Sequence, residues 1–209
     1  MKLQIAIDTL SGAEALAMVD KIHDVIDIVE VGTPLILREG MAPVRALKQK
    51  YPALCVLADT KIVDGGDLES ADACEAGADI VTVLALADDE TIRLVVEAAH
   101  RYGRKVMADL INVRDIPTRS KELMALGLDY ICVHTAFDVQ KLGKTPLDDL
   151  TELVSAAPPE MAAVAGGIKL ETLGAYRRLN PAIVIAGSSL TNAPDIRLAV
   201  VEMRAALSR

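Results

Sequence analysis

Tryptophan is absent from this 209-residue chain, and phenylalanine occurs once, at Phe137. With only four tyrosines beside it, a core drawn from 52% hydrophobic residues has to be aliphatic, built from Val, Ile, Leu and Ala. Such a composition suits parallel strands buried on both faces and covered by Ala/Leu-rich helices. The scarcity of rings also removes the stacking platforms that nucleic-acid binders use. No block of Lys or Arg compensates, and the formal net charge is −8. Nucleic acid is therefore excluded as a partner, and an anionic ligand must be held by local backbone amides and a few cations. No uncharged apolar run reaches the roughly 18 residues needed to cross a bilayer, so no membrane partner is expected. Met1 and Lys2 lead straight into the strand-like LQIAID, which argues against a signal peptide. Cys55, Cys74 and Cys132 lack CxxC spacing, which speaks against a zinc site. They read as free thiols of a cytoplasmic protein. No Ser/Gly/Pro-rich linker divides the chain, so residues 1–209 are expected to form one domain.

What is present is an alternation of short apolar runs and longer helical patterns. The strand candidates are LQIAID (3–8), DIVEVG (27–32), LCVLAD (54–59), DIVTVL (79–84), KVMADL (105–110), YICVHT (130–135), MAAVAG (161–166) and AIVIAG (182–187). Helical period and end signals mark SGAEALAMVDKIHDV with Ser11 as N-cap, DDETIRLVVEAAHRYG with Gly103 past its end, and the closing DIRLAVVEMRAALSR. Eight strand–helix units predict a compact (β/α)₈ barrel, with a doubly wound open sheet as the alternative.

The ends of the strand runs favour the barrel. They carry Asp8, Glu30, Asp59, Asp109, His134, Gly166–Gly167 and Gly187–Ser188, and only DIVTVL ends without an ionisable or glycine-rich feature. In a barrel these ends converge on one face, where catalytic residues sit. LADTKIVDGGD (57–67) is the densest case, with Asp59, Lys61, Asp64 and Asp67 in nine residues. Such crowding requires a compensating lysine, metal or substrate. Glu30 and Asp59, on neighbouring strands, suit a hard divalent cation such as Mg²⁺; the alternative is that Glu30 pairs with Lys61 and no metal binds. Lys61 lies two residues after Asp59, so an extended backbone puts both side chains on one side. A lysine among carboxylates stays protonated and suits an anionic oxygen better than a Schiff base. His134 is a candidate proton carrier, since imidazoles titrate near neutral pH. His23 and His100 fall in helical segments and read as ordinary helix residues. The loops in VAGGIKLETL and IAGSSLTNAPD combine glycines with helix starts, as phosphate sites after strands seven and eight do.

With D-x-K-x-x-D in place at Asp59, Lys61 and Asp64, the chain resembles the orotidine 5′-monophosphate decarboxylase superfamily, from about Leu3 to the last helix. The match is strongest to its hexulose-phosphate synthase branch, through LQIAID, DIVEVGTPLI, VLADTKIVDGGD, ADIVTVLALADD, DLINVRD, DYICVHTAFD, VAGGIKLETL and VIAG. That resemblance implies a homodimer of (β/α)₈ barrels in which Asp64 reaches into the partner's site. It implies reversible aldol addition of formaldehyde to D-ribulose 5-phosphate, giving D-arabino-3-hexulose 6-phosphate through a Mg²⁺-stabilised cis-enediolate. Mg²⁺, with Mn²⁺ as a possible substitute, would sit on Glu30 and Asp59. Lys61 and Asp8 would bond the sugar hydroxyls or the enediolate, and Thr33 would touch substrate. His134 would move the C1 proton, with Asp109 orienting it or sharing the task. The phosphate would rest on amides around Gly166, Gly167, Gly187 and Ser188.

The related 3-keto-L-gulonate-6-phosphate decarboxylases are the first alternative. They carry arginines where this chain has Phe137 and Ser188, and a glutamate where it has Asp109. Within the synthase branch the chain departs at HTAFD and GSS, where many members read HTGYD and a GGG-like run. A non-catalytic sugar-phosphate binding protein is the second alternative. It would be expected to lose Lys61, Glu30 or His134, and all three are present.

Overall fold

The computed structural model describes residues 1–208. Eight parallel strands close into a barrel in sequence order: β1 (Lys2–Ile7), β2 (Ile28–Val31), β3 (Cys55–Ile62), β4 (Ile80–Leu84), β5 (Lys105–Asp109), β6 (Tyr130–His134), β7 (Ala162–Ala165) and β8 (Ile183–Ala186). Pairing of β1 with β8 removes every sheet edge and rules out the open doubly wound sheet. Around it lie α1 (Gly12–Val19), α2 (Thr33–Glu39), α3 (Ala42–Lys50), α4 (Gly66–Glu75), α5 (Asp89–Arg101) and α6 (Ile116–Ala125). The circuit closes with α7 (Phe137–Gln140), α8 (Leu147–Ala156), α9 (Leu173–Arg177), α10 (Ser188–Thr191) and α11 (Ile196–Leu207).

The expected caps form where their side chains reach orphan amides. Ser11 and Glu14 make a reciprocal capping box on α1, Asp88 caps α5, and Asp195 caps α11. α1 is shorter than its sequence pattern. After Val19 the amides of Lys21 and Ile22 bond back only three residues, to Met18 and Val19, and this tight winding carries buried Ile22 and Ile26 towards β2. The last residue of the pattern read as the closing helix, Arg209, lies outside the described residues.

Strand alternation divides the apolar residues into two sets. Ile5, Val29, Val56, Val81, Val106, Ile131, Val164 and Val184 face the helices in the larger cluster. Ile28, Leu57, Ile80, Met107, Cys132, Ala163 and Ile185 fill the barrel interior. Glu30, Asp59, Thr82, Asp109 and His134 each follow an interior residue by two, so they point inward one layer nearer the C-terminal face.

The opposite face is held by a recurrent device. Asp27, Asp79 and Asp129, each just before an even-numbered strand, accept the backbone N–H of Leu3, Val56 and Val106 at 2.9 Å. Asp79 also binds Lys48 Nζ at 2.6 Å and Arg104 Nη1 at 2.5 Å. An Asp79→Ala variant strands that amide and two cations, and is expected to lose about 2–3 kcal/mol in urea denaturation.

Candidate active site

The charged run 59–67 divides in space. Asp59 is buried and Lys61 half-buried, both turned into the barrel mouth, whereas Asp64 and Asp67 are exposed. Asp64 caps its own turn by accepting Gly65 N–H, and Asp67 lies in the first turn of α4. β3 continues past Asp59 to Ile62, and its backbone is not extended at Lys61, where φ is +48°. The expectation of a plain extended pair fails there. A register shift between Ala58 and Ile62 kinks the strand, and the lysine returns to the aspartate through a left-handed residue costing roughly 1–2 kcal/mol.

Lys61 Nζ lies 3.0 and 2.9 Å from the two Asp59 oxygens and 2.8 Å from Asp109 Oδ2. The same Asp109 oxygen lies 2.9 Å from His134 Nδ1, and Asp109 Oδ1 accepts Ile111 N–H at 2.9 Å. Burial pulls the ammonium of Lys61 towards neutrality, but the charges of Asp59 and Asp109 outweigh it and raise its pKa. Burial likewise opposes the charge on Asp109. The hydrogen bonds and charges of His134 and Lys61 prevail and hold this carboxyl at about 2. An ionised Asp109 only accepts, so Nδ1 of His134 carries the proton and Nε2 is left as the basic nitrogen.

Glu30 does not pair with Lys61. Its Oε2 accepts from Gln4 Nε2 at 2.6 Å inside the barrel. Burial first, then the charge of Asp59, pushes the Glu30 pKa well up, with Asp8 adding to it. Asp8 is raised too, by burial and then by Asp59. Its loop is held by Arg38, which donates to the carbonyls of Asp8 and Leu10 at 2.8 Å. The Asp8 carboxylate lies against Gly32 so closely that a Cβ there would sit 2.0 Å from Oδ1. Thr33 turns to Asp59, with Oγ1 2.8 Å from Oδ2 and 2.6 Å from the backbone oxygen.

On the far side of the mouth, Gly166 has φ +112°, and a Cβ would meet Thr135 O at 2.6 Å. Only glycine fits that approach between the β6 and β7 loops. Ser189 Oγ donates to Ile168 O at 2.7 Å and ties the Gly187–Ser188 turn to the Gly166–Gly167 loop. Gly187 closes on Asp8 as well, a Cβ there lying 3.9 Å from Oδ2. All twelve candidate residues stand at the C-terminal end of the barrel, and Asp64 is the one exposed carboxylate among them.

The family model described as the orotidine 5′-phosphate decarboxylase / HUMPS family matches residues 1–203. The chain belongs to this family. It is 46% identical to the 3-hexulose-6-phosphate synthase of Bacillus subtilis over 195 residues, 93% of each chain. It is similar to the crystal structure of 3-hexulose-6-phosphate synthase from Salmonella typhimurium, with 43% identity and a TM-score of 0.97 over 100% of this chain and 99% of that one. The 3-keto-L-gulonate-6-phosphate decarboxylase of Vibrio cholerae is more distant, at 27% identity and a TM-score of 0.87, covering 100% and 97%.

Within that family frame, Glu30 and Asp59 offer an all-oxygen donor pair, and burial followed by the charge of Asp59 pushes the pKa of Glu30 and of nearby Asp8 upward. Among the described residues no three His, Cys, Asp or Glu side chains are grouped so as to hold a metal ion between them. Mg²⁺ does not need such a group, since it takes one or two carboxylates and completes its shell with water or substrate oxygens. The residues fit the ion.

Two polar residues of the site escape a reading by strand ends. Gln4 holds Glu30, and Thr82, on the strand without an apparent functional end, bonds both Asp59 and Lys61. A polar side chain in an otherwise apolar buried strand is the signal that marks each, because it demands a partner. His23 lies in the turns after α1 rather than in a helix and stacks on Tyr51, whereas His100 sits in α5 and meets Asp129. The thiols are free; Cys132, beneath the site, is pushed up first by burial and then by Asp109 and Glu30, which makes it inert.

Proposed function

We propose that this chain is an aldehyde-lyase that reversibly adds formaldehyde to D-ribulose 5-phosphate to form D-arabino-3-hexulose 6-phosphate. The observation that carries the reading is the unbroken run of hydrogen bonds Asp59–Lys61–Asp109–His134, in a chain 46% identical to a 3-hexulose-6-phosphate synthase. Nε2 of His134 removes the C1 proton of the ketose, leaving a cis-enediolate, while Asp109 keeps Nδ1 protonated and the ring oriented. Lys61, kept charged by its two carboxylates, donates to the oxygen on which negative charge develops. Asp8 bonds the sugar hydroxyls, and Thr33 secures the Asp59 carboxylate. The C1 carbon then attacks the formaldehyde carbon, and its oxygen takes up the proton carried by His134. Amides around Gly166, Gly167, Gly187 and Ser188 hold the phosphate.

Glu30 and Asp59 are the residues that would hold Mg²⁺ or Mn²⁺. When bound, the ion supplies Lewis-acid stabilisation of the negative charge on the substrate oxygens. In the dimer we propose, Asp64, exposed beside its own site, completes the partner's. An Asp64→Asn variant is then expected to lose about 10²-fold in activity with no loss of stability, and to be rescued in mixed dimers carrying one intact site.

The test is a paired assay with and without a chelator. One arm follows loss of formaldehyde with ribulose 5-phosphate; the other follows carbon dioxide release from 3-keto-L-gulonate 6-phosphate. Fast, EDTA-sensitive formaldehyde consumption with slow decarboxylation is expected. The opposite ranking would assign the chain to the decarboxylase branch, and silence in both would leave a sugar-phosphate binder.

A further inference from the structure

Between Ala58 and Ile62 strand β3 advances four residues while its neighbour β4 advances two, from Val81 to Val83. Asp59, Thr60 and Lys61 therefore stand opposite a single residue, Thr82, and all three bond to it. Thr60 Oγ1 donates to the Thr82 carbonyl at 2.8 Å, Lys61 N–H donates to Thr82 Oγ1 at 2.9 Å, and Thr82 Oγ1 donates to Asp59 Oδ1 at 2.9 Å. The hydroxyl is 4% exposed at the residue level and closed to bulk water.

Its orientation is determined. An amide N–H can only donate, so the oxygen of Thr82 must accept from Lys61, and its one proton is then directed at Asp59. One hydroxyl thereby satisfies a buried amide at the left-handed residue of the kink and fixes the rotation of a carboxylate in the site. Without it the lysine backbone loses the partner that holds φ at +48°, and Asp59 Oδ1 keeps only the Lys61 ammonium.

We propose that Thr82 is a positioning residue that sets both members of the Asp59–Lys61 pair, through the carboxylate of one and the backbone of the other. The proposal rests on the aldehyde-lyase reading for its activity arm, but not for its ion-binding arm. A hydroxyl that orients a metal-binding carboxylate acts on ion affinity whatever the substrate.

The test compares Thr82→Val, Thr82→Ser and Thr82→Ala with the wild type. Mn²⁺ affinity is read by electron paramagnetic resonance on metal-stripped protein, and kcat and KM are read in the formaldehyde assay. A packing role makes the isosteric valine harmless and the smaller serine costly. The positioning role makes the opposite ranking: valine weakens Mn²⁺ binding and lowers kcat by about 10–100-fold, and serine stays within about 3-fold of wild type in both. KM for the sugar phosphate changes little, because the glycine loops are untouched. Should the valine variant not fold, serine and alanine carry the comparison, since they differ only by the hydroxyl. Equal Mn²⁺ affinity in those two, or in valine and wild type, overturns the proposal. A wild type that binds Mn²⁺ yet is silent with both sugar phosphates would overturn the aldehyde-lyase reading instead, while the ion-binding arm still decides the role of Thr82.

Discussion

Replacing Lys61 by methionine is expected to lower kcat for formaldehyde addition by about 10²–10³-fold while leaving KM for ribulose 5-phosphate within a few-fold. Methionine keeps the length and apolar stem of lysine and removes only the donor. The loss should be that of one preorganised cation aimed at a developing oxyanion. The glycine loops proposed to hold the phosphate lie on the far side of the mouth and are untouched by the change. Stability falls as well, because Asp59 and Asp109 share this ammonium at 2.8–3.0 Å and both are buried. Removing the shared cation from a buried pair costs about 3–5 kcal/mol, less whatever the carboxylates recover by taking up protons. Arginine is not expected to rescue the variant, since its planar fork cannot point at two carboxylates and the substrate as a tetrahedral ammonium does. A Lys61→Met protein whose defect lay in KM alone would mean that the lysine binds the substrate without acting on the transition state.

The strands were legible because their physics is local. A parallel strand covered on both faces must be apolar throughout, and all eight runs stand out against the mixed helical segments for that reason. The carboxylates of Asp8, Glu30, Asp59 and Asp109 were legible by contrast, as ionisable groups at the ends of such runs. The kink at Lys61 was not. Asp-Thr-Lys after an apolar strand reads as extended backbone, and the bonds that offset its strain come from Thr82, 21 residues away along the chain. Thr82 itself was masked because threonine is a favoured strand residue, and nothing local separates a packing threonine from a bonding one. The partner of Glu30 was hidden in the same way. Lysine is the default partner for a buried glutamate, yet the closed barrel brings Gln4 of the adjacent strand to it and sends Lys61 to Asp109. Asp27 and Asp79 read as the first residues of strands; their work is on the opposite face, where they receive backbone amides from the preceding strands.

An Asp109→Asn variant is expected to lose about 10²–10⁴-fold in kcat, through the histidine rather than through Glu30 and Asp59. The asparagine amide can turn its NH₂ towards Nδ1 of His134, which favours the tautomer with the proton on Nε2 and removes the base from the nitrogen that needs it. The same variant reports on stability in a pH-dependent way. Asp109 is held at about 2, below its ordinary 3.8. A carboxyl lowered on folding stabilises the fold above its unfolded value, and that contribution is lost as pH falls through the folded one. The gap of nearly two units corresponds to about 2 kcal/mol, so the variant should be less stable than wild type by about that much at pH 7. The difference should shrink between pH 4 and pH 2, where Asp109 of the wild type takes up its proton. Glu30 and Asp8, whose pKa values are raised, favour the fold at low pH and lose that contribution as pH rises. They titrate in both proteins, so the difference between two urea denaturation series, at pH 7 and pH 3, isolates Asp109. A gap that stayed constant with pH would mean that the asparagine damages packing, and that the lowered carboxyl is not what holds Lys61 and His134 together.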